Sequence, residues 1–296
     1  AISSRQTDCL FWVCPARLLC LLRLARLLDH GEARYTGDNL MNTPRVLILR
    51  GPGTNCDLET DFAFRMAGAS TTAMHVSKVA EDKGAIAECQ VLAIPGGFTY
   101  GDDLGAGKVF ANELELRLRD QLLSFVEKGG LIIGICNGFQ VLVRAGLLPL
   151  PGRSQLVSLL PNVSGRFECR WVPLKIADGS PCIFTRGMDR LDLAVAHGEG
   201  RLFVPQGVEG CIVPALRYTS ADGGPPEYPD NPNGSYDDIA GLTDETGRIL
   251  GLMPHPERFV RASQHPSWTR ADGDADAPGG GFDIFRNAVE YARAIM

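Results

Sequence analysis

The chain of 296 residues has no surplus of positive charge: 29 Lys and Arg stand against 35 Asp and Glu, and the net charge is −6. No dense basic cluster offsets that balance, and phosphate neutralisation needs one, so general nucleic-acid binding is set aside. A Cys-x-x-Cys pair is also missing. The nine cysteines, at 9, 14, 20, 56, 89, 136, 169, 182 and 211, are odd in number and scattered along a long chain. They indicate neither a zinc site nor a disulfide framework, and a reducing cytoplasm fits them best. Long apolar runs are absent too. The richest stretch, "CLFWVCPARLLCLLRLARLL", is interrupted by Arg17, Arg23 and Arg26 and makes a poor membrane span. Histidine is scarce, with five in all (30, 75, 197, 255 and 265), so candidates for an imidazole base are few.

An intact nucleotide-binding loop is the last absence. "GPGTNC" supplies Gly51 and Gly53, but Cys56 stands where a dinucleotide fingerprint needs its third small residue. "DDLGAGKV" has Asp102 in place of the leading glycine of a phosphate loop, and Val109 in place of its Ser or Thr. Any ATP chemistry is expected to belong to another chain.

What is present describes one α/β domain. Hydrophobic residues make up 45% of the chain, enough for a sizeable core. Residues 1–40 match no βα unit, and they read as a non-native or disordered extension or as a transit peptide. The domain is expected over 41–296, since Met41 is followed at once by the strand-like "RVLILR". From there short apolar strands alternate with amphipathic helices, at about 58–67 and 111–128, which predicts a mostly parallel sheet covered on both faces. Beyond Pro161, stretches such as "RFECRWVPLKI" and "LDLAVAHGEG" predict a smaller antiparallel portion, with a hairpin around Glu245-Thr246-Gly247. A last helix carries Phe282, Phe285, Val289 and Ala292 on one face.

Within that pattern "LIIGICNGFQ" drives a buried strand into Cys136 and then turns. Gly134 and Gly138 flank the thiol in the spacing Gly-x-Cys-x-Gly, a nucleophile elbow with sulfur in place of the serine oxygen. The thiol then stands at a helix N-terminus, where unpaired N–H groups favour a thiolate. A buried core cysteine is the plain alternative. "MPHPER" offers a base. Pro254 and Pro256 bias the chain to extended geometry, and residues two apart then share a side, which pairs His255 with Glu257. Such a carboxylate fixes the imidazole tautomer and stabilises the imidazolium. "IPGGFTYGDD" ends a strand in glycines, so the Gly97 N–H, with that of Asn137, is a candidate oxyanion hole. The rival base is His197 in "AHGEGR". Gly198 imposes no geometry on Glu199, so these two are expected in a loop at the site mouth or partner interface.

"GICNGFQ", "PGGFTYGDD" and "MPHPER", in this order, resemble the triad-type (class I) glutamine amidotransferases. "RGPGTNCD", "SGRFECRW", "AHGEGR" and "NPNGSYDDIAG" narrow the resemblance to the glutaminase subunits of phosphoribosylformylglycinamidine synthase, over about 45–296. The resemblance implies a Cys136 nucleophile, a His255 base, a Glu257 orienter and Gln140 near bound glutamine. It also implies that ammonia passes to a large ATP- and Mg-using synthetase subunit of purine biosynthesis, with a small bridging subunit and no cofactor in this chain. Two other readings keep the fold without the chemistry: a stress-response relative with the same elbow cysteine, and a non-catalytic docking subunit.

Overall fold

The computed structural model describes residues 43–82, 84–270 and 274–296. The expected boundary at Met41 and the extension before it lie outside the described residues. In chain order the first half runs β1 (Arg45–Arg50), α1 (Asp57–Met66), β2 (Ser70–His75), α2 (Val76–Glu81), β3 (Val91–Ile94), α3 (Lys108–Glu127), β4 (Leu131–Ile135) and α4 (Asn137–Arg144). The second half adds β5 (Ser158–Leu160), β6 (Glu168–Ile176), β7 (Arg190–His197), β8 (Arg201–Phe203), β9 (Val213–Tyr218), β10 (Ile239–Thr243), β11 (Ile249–Leu252) and α5 (Phe282–Ala294).

Nine strands form one sheet in the order β2-β1-β3-β4-β11-β10-β9-β6-β7, and β5 pairs with β8 apart from it. From β2 to β11 the neighbours are parallel, and from β11 to β7 they are antiparallel. The antiparallel portion therefore contributes as many pairings as the parallel one. β1, β3, β4 and β11 lie side by side and point the same way, so their C-terminal ends open on one edge. Ligands of open α/β sheets bind at that edge, where successive βα turns bring their first residues together.

The core follows from the sequence pattern. Val46–Leu49 and all of β3 and β4 are buried, as strands covered on both faces must be. α3 turns Phe110, Leu114, Leu118, Leu122 and Phe125 inward at helical spacing, and its solvent side carries the pairs Glu113–Arg117 and Glu115–Arg119. It begins three residues earlier than the sequence predicts, because Gly107 takes the left-handed conformation (φ 70°) that starts it. α5 closes the other face through an edge-to-face contact of Phe285 with Phe64, centroids 5.0 Å apart. Among the described residues no helix is long and apolar enough to cross a membrane.

Candidate active site

Cys136 caps α4 at the end of β4, with φ 51° and ψ −105°. A left-handed φ on a residue with a Cβ costs on the order of 1–3 kcal/mol, and it persists only where the surroundings enforce it. Here the glycines enforce it. A Cβ on Gly138 would lie 1.9 Å from the Ile94 carbonyl oxygen, and one on Gly134 would lie 2.6 Å from that of Gly138. The backbone thus packs directly on β3 and holds the turn tight. The Cys136 N–H donates to Leu252 O at 2.7 Å, and Sγ lies 3.7 Å from Ala196 O.

β7 holds Cys136 and His255 together. The His255 N–H donates to Ala194 O at 2.8 Å, two residues before the carbonyl that faces Cys136. His255 and Glu257 are both buried, and Nδ1 lies 2.6 Å from Glu257 Oε1. The pair meets in a turn, not along an extended run as the sequence predicts. His255 itself is extended, but Pro256 opens a 3₁₀ turn over Pro256–Arg258, since proline suits a first helical position. Burial opposes a charge on His255, yet the Glu257 carboxylate and the Cys136 thiol beside it outweigh burial and hold its pKa well above the ordinary value. Nε2, the atom that would exchange protons with sulfur, is shut from solvent and has no hydrogen-bond partner.

Gly97 follows β3 with φ +153°, and a Cβ there would meet Gly53 O at 2.5 Å. Among the described residues neither its N–H nor that of Asn137 donates to a protein acceptor, as an anion-binding pair requires. The Asn137 side chain ties the parts together. Its Oδ1 accepts from Thr99 Oγ1 at 2.6 Å, and its Nδ2 donates to Gln140 Oε1 at 2.8 Å. Gln140 in turn donates to Glu199 O at 2.6 Å. A cavity of about 140 Å³ is lined by Gly97, Asp102, Cys136, Gln140, His197 and Glu199. Asp102 belongs to this lining although sequence reasoning passed over it. Burial raises its carboxyl pKa, while bonds from Gly107 N and Asn137 oppose that rise.

His197 is not in a loop. It ends β7, is buried, and faces Glu168 across the sheet. Asn162 settles its tautomer. The Asn162 amide donates to the Arg166 and His197 carbonyls, so its Oδ1 can only accept, from Gly200 N and from His197 Nδ1 at 3.1 Å each. Nδ1 therefore carries the proton. Burial, helped by the charge of His255, pushes the pKa from 6.5 down to about 4. Below pH 6.5 the unfolded chain takes up a proton that the folded chain refuses until about pH 4, so stability falls as pH drops through that window. His197→Gln should flatten this part of the Tm–pH curve. A slope equal to that of the native protein would mean the imidazole is not held neutral.

Two other buried thiols, Cys89 and Cys182, stand apart from the site. All six described cysteines are free, and burial pushes Cys89 up to about 12 and raises Cys182, which keeps both protonated and inert. Cys89 lines a larger cavity of about 500 Å³ with Phe125 and Met296, but no histidine shares that lining. Among the described residues one set of donors is compact enough for a metal: Cys56, His255 and Glu257, with atoms within 4.8 Å of one another. Its donors already serve protein partners, Nδ1 bonding Glu257 and Cys56 Sγ accepting from Arg258.

A family model of the CobB/CobQ-like glutamine amidotransferase domain matches residues 43–292. The phosphoribosylformylglycinamidine synthase subunit PurQ of Dehalococcoides mccartyi is 52% identical over 257 residues, spanning 86% of this chain and 100% of that protein. The PurQ subunit of Methanococcus maripaludis is 41% identical, over 84% of this chain and 97% of its own. A chain in the structure of PurLQS from Thermotoga maritima superimposes with a TM-score of 0.63 at 32% identity, over 84% of this chain and 99% of that one. The identity runs through the whole length of these relatives and not only around the thiol. What is shared is therefore more than a fold: the chain belongs to the glutamine amidotransferases and, within them, to the PurQ family of phosphoribosylformylglycinamidine synthase subunits.

Proposed function

We propose that this chain is the glutaminase subunit of phosphoribosylformylglycinamidine synthase, and that Cys136, His255 and Glu257 release ammonia from glutamine. The observation that carries the reading is the buried Nδ1–Oε1 contact of 2.6 Å, on a histidine that shares strand β7 with the elbow thiol. His255 Nε2 takes the thiol proton, and Glu257 stabilises the imidazolium that results. The thiolate attacks the side-chain carbonyl carbon of glutamine, and the Gly97 and Asn137 N–H groups receive the oxyanion. As the C–N bond breaks, the imidazolium returns its proton to the departing ammonia. Water, deprotonated by the same nitrogen, then cleaves the thioester to glutamate and restores the thiol. Gln140 borders the place where the substrate would lie.

Free ammonia is mostly protonated at neutral pH, so its delivery favours a docked acceptor. The relative from Thermotoga maritima belongs to the structure of PurLQS. In this chain Phe98 and Phe167, 48% and 53% exposed, pair at 6.3 Å on the rim of the cavity, where a docked subunit would cover them. We assign ATP and Mg²⁺ to that large synthetase partner, which amidates formylglycinamide ribonucleotide, and a bridging role to a small third subunit. His197 and Glu199 line the cavity on its β7 side. Free cysteines throughout the described residues suit a reducing cytoplasm. A glutamine-analogue electrophile tests the site. Peptide mass analysis should find the adduct on Cys136 and on no other thiol, and an adduct confined to a different cysteine would overturn the reading.

A further inference from the structure

The stretch "RGPGTNCD" belongs to neither the triad nor the oxyanion loop, yet it folds against both. A Cβ on Gly53 would lie 2.1 Å from Phe98 O, and the N–H groups of Asn55 and Cys56 both donate to Gly96 O at 3.2 Å. Cys56 is the N-cap of α1, where a Ser, Thr, Asp or Asn side chain usually turns back onto the helix. Its own side chain makes no such bond. Sγ instead accepts from Arg258 Nη2 at 3.4 Å and donates to Asn55 Oδ1 at 3.2 Å. Gly96 leaves room for the thiol and the imidazole to approach: a Cβ there would be 3.3 Å from Cys56 Sγ and 2.9 Å from His255 Cε1. Arg258 Nε lies 3.9 Å from Glu257 Oε1.

We propose that Cys56 and Arg258 form a positioning pair behind the base, in which the thiol holds the guanidinium against Glu257 and so keeps the Glu257–His255 bond aimed at Cys136. The proposal rests on the reading of Cys136, His255 and Glu257 as a glutaminase triad. Arg258 is 38% exposed on a flexible stem, and without the sulfur its charge is better hydrated away from the site. Glu257 would then keep only the histidine as a partner, because its Oε2 is buried without one. A carboxylate free to rotate aims the imidazole less well, and misplacement on the order of 1 Å costs about 10² in rate. A serine at 56 still offers the guanidinium an acceptor, though at shorter reach, so Cys56→Ser is the conservative variant.

The test measures glutamate release by the reconstituted complex for Cys56→Ala, Arg258→Gln, their double variant and Cys56→Ser, with Cys136→Ser as control. Each single change should lower kcat about tenfold while KM stays within about twofold, since the base is misaimed and the substrate contacts are untouched. The double variant should fall no further than the worse single one, because both act through one contact. Cys56→Ser should recover most of the loss. An unchanged kcat in Cys56→Ala, losses that multiply to about 100-fold, or a loss carried in KM would overturn the pair. So would a fall in Tm that tracks the rates across the series. Should Cys56→Ala fail to fold, Arg258→Gln must still lose kcat at unchanged KM for the pair to stand. An active Cys136→Ser control would instead sink the triad itself, so the two failures are distinct.

Discussion

Cys136→Ser should lower glutamine-dependent amidation by the assembled enzyme roughly 10⁴-fold, while amidation from added ammonia stays within about twofold of the native rate. Serine keeps the shape of the elbow. It is smaller than cysteine and adds no atom to a turn already closed by Gly134 and Gly138. What it changes is the nucleophile: the imidazole must now remove a proton from a hydroxyl, whose pKa lies far above that of a thiol. Added ammonia bypasses this step and calls only on the synthetase partner. Both activities have to be followed on one preparation, so that a folding defect, which lowers both, is told from a chemical one, which lowers one. Retention of the glutamine-dependent rate would make Cys136 a core cysteine. Loss of the ammonia-dependent rate in a well-folded complex would mean that this chain does more than supply nitrogen.

His255→Ala should reduce glutamate release about 10²–10⁴-fold, and His197→Gln should leave it within about tenfold of native. The two histidines lie near the same thiol, but their surroundings shift their pKa values in opposite directions. Glu257 at 2.6 Å favours a charged His255, whereas burial without a carboxylate partner on its ring keeps His197 neutral down to about pH 4. A group that stays neutral to that pH is a poor store for the thiol proton, because the imidazolium it must form is too costly. Glutamine at 197 can still donate to Asn162 Oδ1, so the buried network is kept and the comparison isolates acid–base function. The reverse ranking of the two variants would move the base to His197.

The local devices were legible in the sequence because each one is contiguous. Gly134-Ile135-Cys136-Asn137-Gly138 needs its glycines within two residues of the thiol, so the elbow shows as a spacing. His255 and Glu257 are likewise two apart, although they meet through a turn that proline starts and not through the extended run that alternation suggests. The helices and buried strands followed from periodicity, which records burial one element at a time. β5 and β8 left no such trace, being three residues each.

Tertiary structure alone decided the rest. The carbonyls of Ala194 and Ala196 seat His255 and Cys136, and a backbone carbonyl has no residue-specific signature, so nothing in "LAVAH" marks β7 as part of the site. The glycine after His197 predicts a loop, and only the fold sets this histidine against Asn162 and takes away its charge. Cys56 and Arg258 are 202 residues apart, and their contact exists because β1 and β11 end at one sheet edge. Sequence by itself determined which groups could do chemistry, since reactivity belongs to side chains and short spacings. Their distances, burial and charge were left to the sheet, since those are set by which strands lie side by side and not by which residues are neighbours along the chain.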